Sequence, residues 1–182
     1  MVYLFLANGF EEIEALCPLD LLRRAGVEVT TVAVGGSESV VGSHGIVVQA
    51  DVPDVMFRDP APEMVILPGG MPGAAHLDES RTVESALRAC ASHGGFLAAI
   101  CAAPMVLGKR GYLKGKQAVC YPGFEEQLRG ATVVNRRVVR DGNIITGAGM
   151  GVALDFGLAL VAALKGEETA ANLRRSVLAD RT

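Results

Sequence analysis

The sequence predicts an α/β domain in which a mostly parallel central sheet carries helices on both faces. Short apolar runs such as Met64–Leu67 alternate with segments of helical spacing. Runs of this kind are typical of parallel strands buried between two layers of helices. The chain has 182 residues, 50% of them hydrophobic, and 22 glycines. Because that length can bury a proper core, we predict a single domain over residues 1–182.

The first half of the chain gives five strand predictions, two of them in a hairpin, and one helix. A strand at 2–7 ends at Asn8-Gly9, and the helix that follows has acidic residues in its first turn and ends at Gly26. Apolar residues at 13, 16, 19 and 22 indicate its buried face. The remaining predictions are a strand at 27–34, a hairpin of 40–41 and 46–48, an irregular stretch at 51–62, and a buried strand at 64–67 that ends at Pro68.

The second half alternates in the same way. The predicted elements are a helix at 82–93, a strand at 94–100, a helix from Pro104, a strand at 118–120, a short helix at 123–128, strands at 132–135, 138–139 and 144–145, and helices at 151–164 and 167–178. Asp141-Gly142 predicts a hairpin turn between the last two strands.

Cys101 lies where the pattern changes from an apolar strand to a helix. This order predicts a nucleophile elbow, in which small neighbours permit a sharp turn that lifts the reactive atom clear of the sheet. Backbone N–H groups at the start of the next helix can stabilise a thiolate. A buried structural cysteine is the alternative, and this stretch alone favours neither.

Three predicted strands end in unusual residues: Asn8-Gly9, Gly69-Gly70 and Cys101. In a parallel sheet these ends lie at one edge, where ligands bind. Without Cβ atoms, the two glycines would let their N–H groups approach a ligand closely. We predict that the N–H groups of Gly70 and Ala102 form an oxyanion hole. An ordinary tight turn is the alternative for the two glycines.

Glu14 is the candidate partner of the thiol. Its neighbours Ile13, Ala15 and Leu16 place it near the core side of the helix. A buried carboxyl beside a thiol would keep its proton at neutral pH and donate a hydrogen bond to the thiolate. Glu11 and Glu12 are expected to be solvated first-turn residues.

The sequence gives no position relative to Cys101 for the histidines or for Tyr121. His93 is predicted to cap a helix C-terminus, and no histidine can be placed beside Cys101. Tyr121 lies in a loop, either in the pocket or packed on the surface.

Composition excludes several classes of protein. The net charge of −3 and the pI near 5.6 argue against nucleic-acid binding. No apolar run approaches the roughly 18 residues of a membrane span, and the N-terminus lacks the basic region of a signal peptide. The cysteines at 17, 90, 101 and 120 form no CxxC pair. We therefore expect free thiols in a reducing, cytoplasmic location and no metal site.

Four motifs together resemble the ThiJ/PfpI superfamily. They are Asn-Gly-Phe-Glu-Glu-Ile-Glu at 8–14, Leu-Pro-Gly-Gly at 67–70, Ala-Ala-Ile-Cys-Ala-Ala-Pro at 98–104 and Thr-Gly-Ala-Gly-Met-Gly at 146–151. The sequence is most similar to the DJ-type branch, which includes the Parkinson-associated protein and its small bacterial relatives. The resemblance implies a flavodoxin-like three-layer sandwich and a homodimer without a cofactor. By motif match, it implies a nucleophilic Cys101, a protonated Glu14, and backbone donors at Gly70 and Ala102.

The sequence departs from that family at three places. Tyr121 stands where many members have a histidine, His44 stands in place of a basic residue often found near the pocket, and the late Gly-Pro-Gly reads Gly149-Met150-Gly151. Gly69, Tyr121 and His44 are therefore further pocket candidates. The missing histidine argues against a protease or a dedicated glyoxalase.

The leading hypothesis implied by the resemblance is a cysteine-dependent enzyme of small reactive dicarbonyls or their protein adducts, of the glutathione-independent glyoxalase or deglycase type. Its substrate would be a small carbonyl compound. A non-enzymatic thiol sensor of oxidative stress, a chaperone-like module and an amidase or peptidase are the alternatives. The sequence does not identify the physiological substrate.

Overall fold

A seven-stranded sheet lies at the centre of the computed structural model, which describes residues 1–180. The strands of this part of the chain are β1 (Val2–Leu6), β2 (Val29–Ala33), β3 (Ser39–Val41), β4 (Val47–Gln49), β5 (Val52–Pro53), β6 (Met64–Leu67), β7 (Phe96–Ile100), β8 (Gln117–Ala118), β9 (Thr132–Val133), β10 (Val138–Asp141) and β11 (Ile144–Gly147). The central order is β10-β11-β7-β6-β1-β2-β5. Its pairs are parallel except β10 with β11.

Helices cover both faces of this sheet. They are α1 (Glu12–Arg24), α2 (Gly73–Glu79), α3 (Arg81–Ser92), α4 (Pro104–Lys109), α5 (Ala153–Lys165) and α6 (Glu167–Ser176). One buried cluster joins the sheet to α1, α5 and α6, and a second joins it to α2, α3 and α4. Within β1, Leu4 and Leu6 belong to the first cluster and Phe5 to the second, because side chains alternate along a strand. The predicted flavodoxin-like α/β sandwich is confirmed.

The predicted strands and helices are largely confirmed, including the β3–β4 and β10–β11 hairpins. His93 forms the C-cap of α3, as predicted. The predicted strand at 118–120 ends at Ala118, and the helix predicted at 123–128 is a 3-10 turn at Glu125–Gln127. The predicted domain end at residue 182 lies outside the described residues. No helix within residues 1–180 combines the length and the apolar character needed to span a bilayer.

Two elements were not predicted from the sequence. Helix α2 has seven residues, too few to be stable alone in water. It depends on tertiary contacts: the N–H of Gly73 bonds to Gly9 O at 3.2 Å, and Leu77 is fully buried. Strand β5, inside the stretch predicted to be irregular, forms by pairing with β2.

The predicted buried stripe of α1 was partly wrong. Leu19 and Leu22 are buried, but Ile13 is 48% exposed, while Glu12 and Glu14 are buried in its place. Both carboxylates accept hydrogen bonds inside the protein, which offset the cost of removing them from water. Hydrophobic periodicity cannot detect this arrangement.

Helices α1 and α5 pack closely because residue 157 is a glycine. A Cβ atom on Gly157 would lie 2.6 Å from Leu21 Cδ1 and 2.9 Å from Pro18 Cα. The second contact is with backbone, which cannot move aside as a side chain can. Gly157 therefore fixes the position of α1, the helix that carries Glu14.

We expect Gly157→Ala to destabilise the fold by about 1–3 kcal/mol through overpacking. Alanine is the better helix former by about 1 kcal/mol, so helix propensity alone predicts that the substitution stabilises the fold. Urea unfolding followed by circular dichroism gives the change in free energy. Gly151→Ala is the control, because nothing lies within 4 Å of a Cβ built there. A Gly157→Ala protein at least as stable as the wild type would contradict the packing argument.

Candidate active site

Cys101 forms a sharp turn between β7 and α4. Its φ is +64°, a left-handed conformation that costs a non-glycine residue about 1–2 kcal/mol. Two hydrogen bonds hold the turn: Cys101 N–H donates to Gly147 O at 2.9 Å, and Tyr121 N–H donates to Cys101 O at 2.8 Å. The thiol is half-buried. The predicted strand–turn–helix is therefore present, with strain at the residue proposed as the nucleophile.

Gly69 lies between the thiol and Glu14. Strands β1, β6 and β7 are neighbours, so their carboxyl ends meet as predicted. A Cβ atom on Gly69 would lie 2.5 Å from Glu14 Oε2 and 2.6 Å from Cys101 Cβ. Only glycine fits this position. Its N–H donates to Glu14 Oε2 at 3.0 Å, which orients the carboxyl beside the elbow.

Glu14 is fully buried. Its Oε1 atom has no hydrogen-bond partner within residues 1–180. Burial raises the pKa of Glu14 to about 7; the Cys101 thiol and the Gly69 N–H lower this pKa, and the Glu11 carboxylate raises it. The carboxyl can therefore hold a proton at neutral pH, as the sequence predicts.

The pKa of Cys101 is raised, whereas a thiolate stabilised by backbone N–H groups and by a protonated Glu14, as the sequence suggests, would have a lowered pKa. Burial raises the pKa of Cys101, and the ionised Glu14 raises it further, to about 12, although the N–H groups of Gly70 and Ala102 lower it. The effect of Glu14 exists only while that carboxyl is charged. Cys101 and Glu14 therefore titrate as one coupled pair, which gains its first negative charge near pH 7 and its second only near pH 12.

Glu12 is buried, and the expectation that it is solvated was wrong. Its Oε1 accepts from His44 N–H at 2.7 Å, and its Oε2 lies 2.8 Å from His44 Nδ1 and accepts from Ser43 Oγ at 3.3 Å. Burial favours a higher pKa for Glu12, but the hydrogen bonds from His44 outweigh it and hold the pKa at about 2. The same contacts raise the pKa of His44.

His44 thus fastens the turn of the β3–β4 hairpin to the first turn of α1. The His44 side chain bonds to Glu12 and Ser43, so its contacts do not place it in the predicted pocket. The ligand atoms of Glu11, Glu12 and His44 lie within 4.8 Å of one another, a grouping the sequence did not predict. Because Glu12 uses both oxygens to hold the turn, and Glu11 Oε2 accepts from Glu14 N–H at 2.7 Å, we regard the group as structural.

The other two histidines have partners elsewhere. His76 belongs to α2, and its Nδ1 lies 2.9 Å from Asn8 O. His93 Nδ1 lies 3.0 Å from Ala89 O. No hydrogen bond of a histidine within residues 1–180 reaches Cys101 or Glu14. The aromatic side chain beside the elbow is that of Tyr121.

Gly149 is a site residue that the sequence analysis did not single out. A Cβ atom built on it would lie 3.2 Å from Tyr121 Cδ2 and 3.9 Å from Glu14 Oε1. The signal that could have identified it was its place in the Thr146–Gly151 motif. We used that motif only for the family resemblance, because a sequence motif does not give the distance between Gly149 and Glu14.

All four cysteines are free thiols, as expected. Cys90 and Cys120 are buried, and burial raises the pKa of each to about 11. Cys120 lines a cavity of about 360 Å³ together with Glu125 and Ala148. Cys17 is half-buried on α1, and burial raises its pKa. Cys101 therefore differs from the others in its neighbours Glu14, Gly70 and Ala102.

Comparisons with known proteins agree with this arrangement. Residues 1–163 match the model of the DJ-1/PfpI family. The chain is 38% identical to Protein dj-1beta of Drosophila melanogaster over 175 residues, which cover 95% of this chain and 94% of that protein. It resembles the solved structure of oxidized Toxoplasma gondii DJ-1 with a TM-score of 0.93 and 35% identity over 97% of both chains.

An enzyme is also among the proteins it resembles. The isonitrile hydratase of Pseudomonas putida is 34% identical over 121 residues, which cover 65% of this chain and 53% of that enzyme.

The coupled pair predicts the pH dependence of thiol alkylation. In the wild type, we expect the rate of Cys101 modification by iodoacetamide to change near pH 7, where Glu14 titrates. In Glu14→Gln this step should vanish. In that variant the pKa of the Cys101 thiol should fall below about 12, because the carboxylate that raises it is gone.

Peptide mass spectrometry at each pH gives the rate for every cysteine, so Cys17 serves as the internal control. We expect Cys101 to be the fastest-reacting thiol in spite of its raised pKa, because Glu14 can accept its proton and the N–H groups of Gly70 and Ala102 stabilise the thiolate. Superimposable Cys101 profiles for the two proteins would contradict the coupling, and equal labelling of all four cysteines would contradict the special role of the elbow.

Proposed function

The chain belongs to the DJ-1/PfpI family, and we propose that it is a cysteine-dependent enzyme of small reactive dicarbonyls such as methylglyoxal or of their protein adducts. One observation carries the proposal: the buried carboxyl of Glu14, with one oxygen unpartnered, lies beside the thiol of the elbow. The pKa of Glu14, about 7, suits a group that must both give and take a proton at neutral pH.

In the first step, the Glu14 carboxylate takes the proton of the Cys101 thiol, and the sulfur adds to the aldehyde carbon and forms a hemithioacetal. The N–H groups of Gly70 and Ala102, which already lower the pKa of the thiol, stabilise the oxyanion. The proton that Glu14 holds neutralises this oxygen.

In the next step, Glu14 takes the proton from the former aldehyde carbon and returns one to the neighbouring carbon through an enediol. This leaves a thioester of the hydroxy acid on Cys101. Water hydrolyses the thioester, which releases the hydroxy acid and restores the thiol. The sum is one dicarbonyl plus one water giving one hydroxy acid, with no net oxidation and no cofactor.

We expect this reaction to be slow. A histidine near neutral pKa would be an effective base beside the substrate, but Tyr121 occupies the position that is histidine in many relatives. A general acid–base group contributes about 10²–10⁴-fold, so the lack of one has a large effect on the rate.

A thiol sensor is the second candidate. The similarity to a relative solved in an oxidized state favours it. Two equivalents of hydrogen peroxide would oxidise the Cys101 thiol to the sulfinic acid and leave two waters. The proton on Glu14 would then bond to a sulfinate oxygen. Peroxide-dependent mass gain at Cys101 without turnover of dicarbonyls would favour this candidate.

A second copy of the chain is the proposed partner. The outer side of α1 carries Ile13, which is 48% exposed, and the half-buried Cys17, which lines a shallow cavity with Leu154 of α5. The DJ-1 resemblance supports a homodimer that buries this side. We also propose a cytoplasmic location, which free thiols favour.

Two substitutions test the enzymatic proposal. With methylglyoxal as substrate, and without glutathione, Cys101→Ser should abolish formation of the hydroxy acid. Glu14→Gln should lower kcat by about 10²–10⁴-fold while leaving the circular dichroism spectrum unchanged. Chromatography of the product from chelator-treated protein gives the rate.

Cys17→Ser is the matched control. It removes a half-buried thiol that takes no part in the proposed reaction, and it should retain the wild-type rate. If the wild type forms no more hydroxy acid than Cys101→Ser, the enzymatic proposal fails and the sensor takes its place.

Light scattering at micromolar concentration tests the dimer. We expect twice the chain mass of 19.0 kDa for the wild type and a single chain mass for Ile13→Asp, because a charge would be buried without a partner. Val55→Asp is the control, since Val55 is 62% exposed near the β5 edge of the sheet. A wild type of single chain mass would refute the dimer.

A further inference from the structure

The two oxygens of the buried Glu14 carboxyl differ in their hydrogen-bond partners. Oε2 is fixed by the N–H of Gly69 at 3.0 Å, and a Cβ on Gly69 would lie only 2.5 Å from that oxygen. Oε1 is buried and has no partner within the described residues. A Cβ on Gly149 would lie at an ordinary contact distance of 3.9 Å from Oε1. Oε1 is therefore the oxygen of Glu14 that remains for a bound substrate, and Gly149 is the residue beside it.

The ring of Tyr121 lies next to Gly149. The N–H of Tyr121 bonds to Cys101 O at 2.8 Å, which holds the residue at the elbow. Its ring carbon Cδ2 would lie 3.2 Å from a Cβ on Gly149, closer than an ordinary van der Waals contact. A methyl group on Gly149 would therefore require the ring to shift by a few tenths of an ångström.

We propose that the contact between the Tyr121 ring and Gly149 determines substrate size at this site. A dicarbonyl of two or three carbons can place its aldehyde carbon at Cys101 and an oxygen at Glu14 Oε1. An aryl substituent on the second carbonyl would have to occupy the place of the Tyr121 ring. Tyr121 acts here through the bulk of its ring, since the contact is made by a ring carbon and not by the hydroxyl. This inference rests on the proposed dicarbonyl activity.

The test compares kcat/KM for phenylglyoxal with kcat/KM for methylglyoxal in each variant. Tyr121→Ala should raise the phenylglyoxal to methylglyoxal ratio by about tenfold or more. Tyr121→Phe keeps the ring and should keep the wild-type ratio. An unchanged ratio in Tyr121→Ala would overturn the proposal. An equal change in Tyr121→Phe would overturn it as well, because the hydroxyl would then carry the effect.

The role of Gly149 is tested on the same loop. Gly149→Ala adds a methyl group in front of Oε1 and should raise KM for methylglyoxal. The backbone there is extended, with φ 163° and ψ −171°, so the substitution introduces no backbone strain. Gly151→Ala, with nothing within 4 Å of its Cβ, should leave KM unchanged. Equal KM values for Gly149→Ala and the wild type would overturn the assignment of Gly149.

Alkylation of Cys101 separates this proposal from the proposed activity, because modification needs no turnover. The rate constants for N-phenylmaleimide and iodoacetamide are measured by peptide mass spectrometry in the wild type, Tyr121→Phe and Tyr121→Ala. Tyr121→Ala alone should favour the bulky reagent, again by about tenfold. If no variant forms hydroxy acid but this ratio changes, the activity fails and the size limit stands. If hydroxy acid forms but neither ratio changes, the size limit is overturned.

Discussion

The contact of Glu14 with Gly69 and Cys101 is the constraint on which the rest of the site depends. A buried carboxyl is costly unless it is hydrogen-bonded or protonated. Here one oxygen receives the N–H of Gly69, and the other has no partner within residues 1–180. The protein therefore keeps a carboxyl whose proton is available at neutral pH. Any side chain at position 69 would separate the carboxyl from the thiol.

The first turn of α1 is held in place from several directions, because Glu14 must meet a thiol on another element. Glu11 caps the helix through its contact with Glu14 N–H, and its own N–H donates to Gly69 O at 2.9 Å. Glu12 ties the same turn to the β3–β4 hairpin through His44. Gly157 lets α5 support the helix from its other side. These contacts lower the freedom of the Glu14 side chain and make its alignment with the elbow reproducible.

Among the departures from the family pattern, Tyr121 is the one that lies beside the candidate site. The elbow, the carboxyl and the backbone donors match the family motifs, and the Tyr121 ring lies next to Gly149. An aromatic ring in place of an imidazole removes a base near neutral pKa and adds bulk. The same chemistry can then be kept at a lower rate and restricted to smaller molecules. In the proposed function, the elbow and Glu14 carry out the reaction, and the Tyr121 ring limits the size of the substrate.

The sequence by itself determined the fold class and the two central residues of the site. Hydrophobic runs and glycine positions are local signals, so they sufficed for the alternating strands and helices, and the change of period at Cys101 sufficed for the elbow. The tertiary structure alone decided that Glu12 is buried against His44, that α2 forms, and that Gly149 lies beside Tyr121. Each of these depends on a partner distant in the sequence. It also decided how the thiol titrates, because the pKa of Cys101 depends on the charge of Glu14 and on burial, and neither is a property of local sequence.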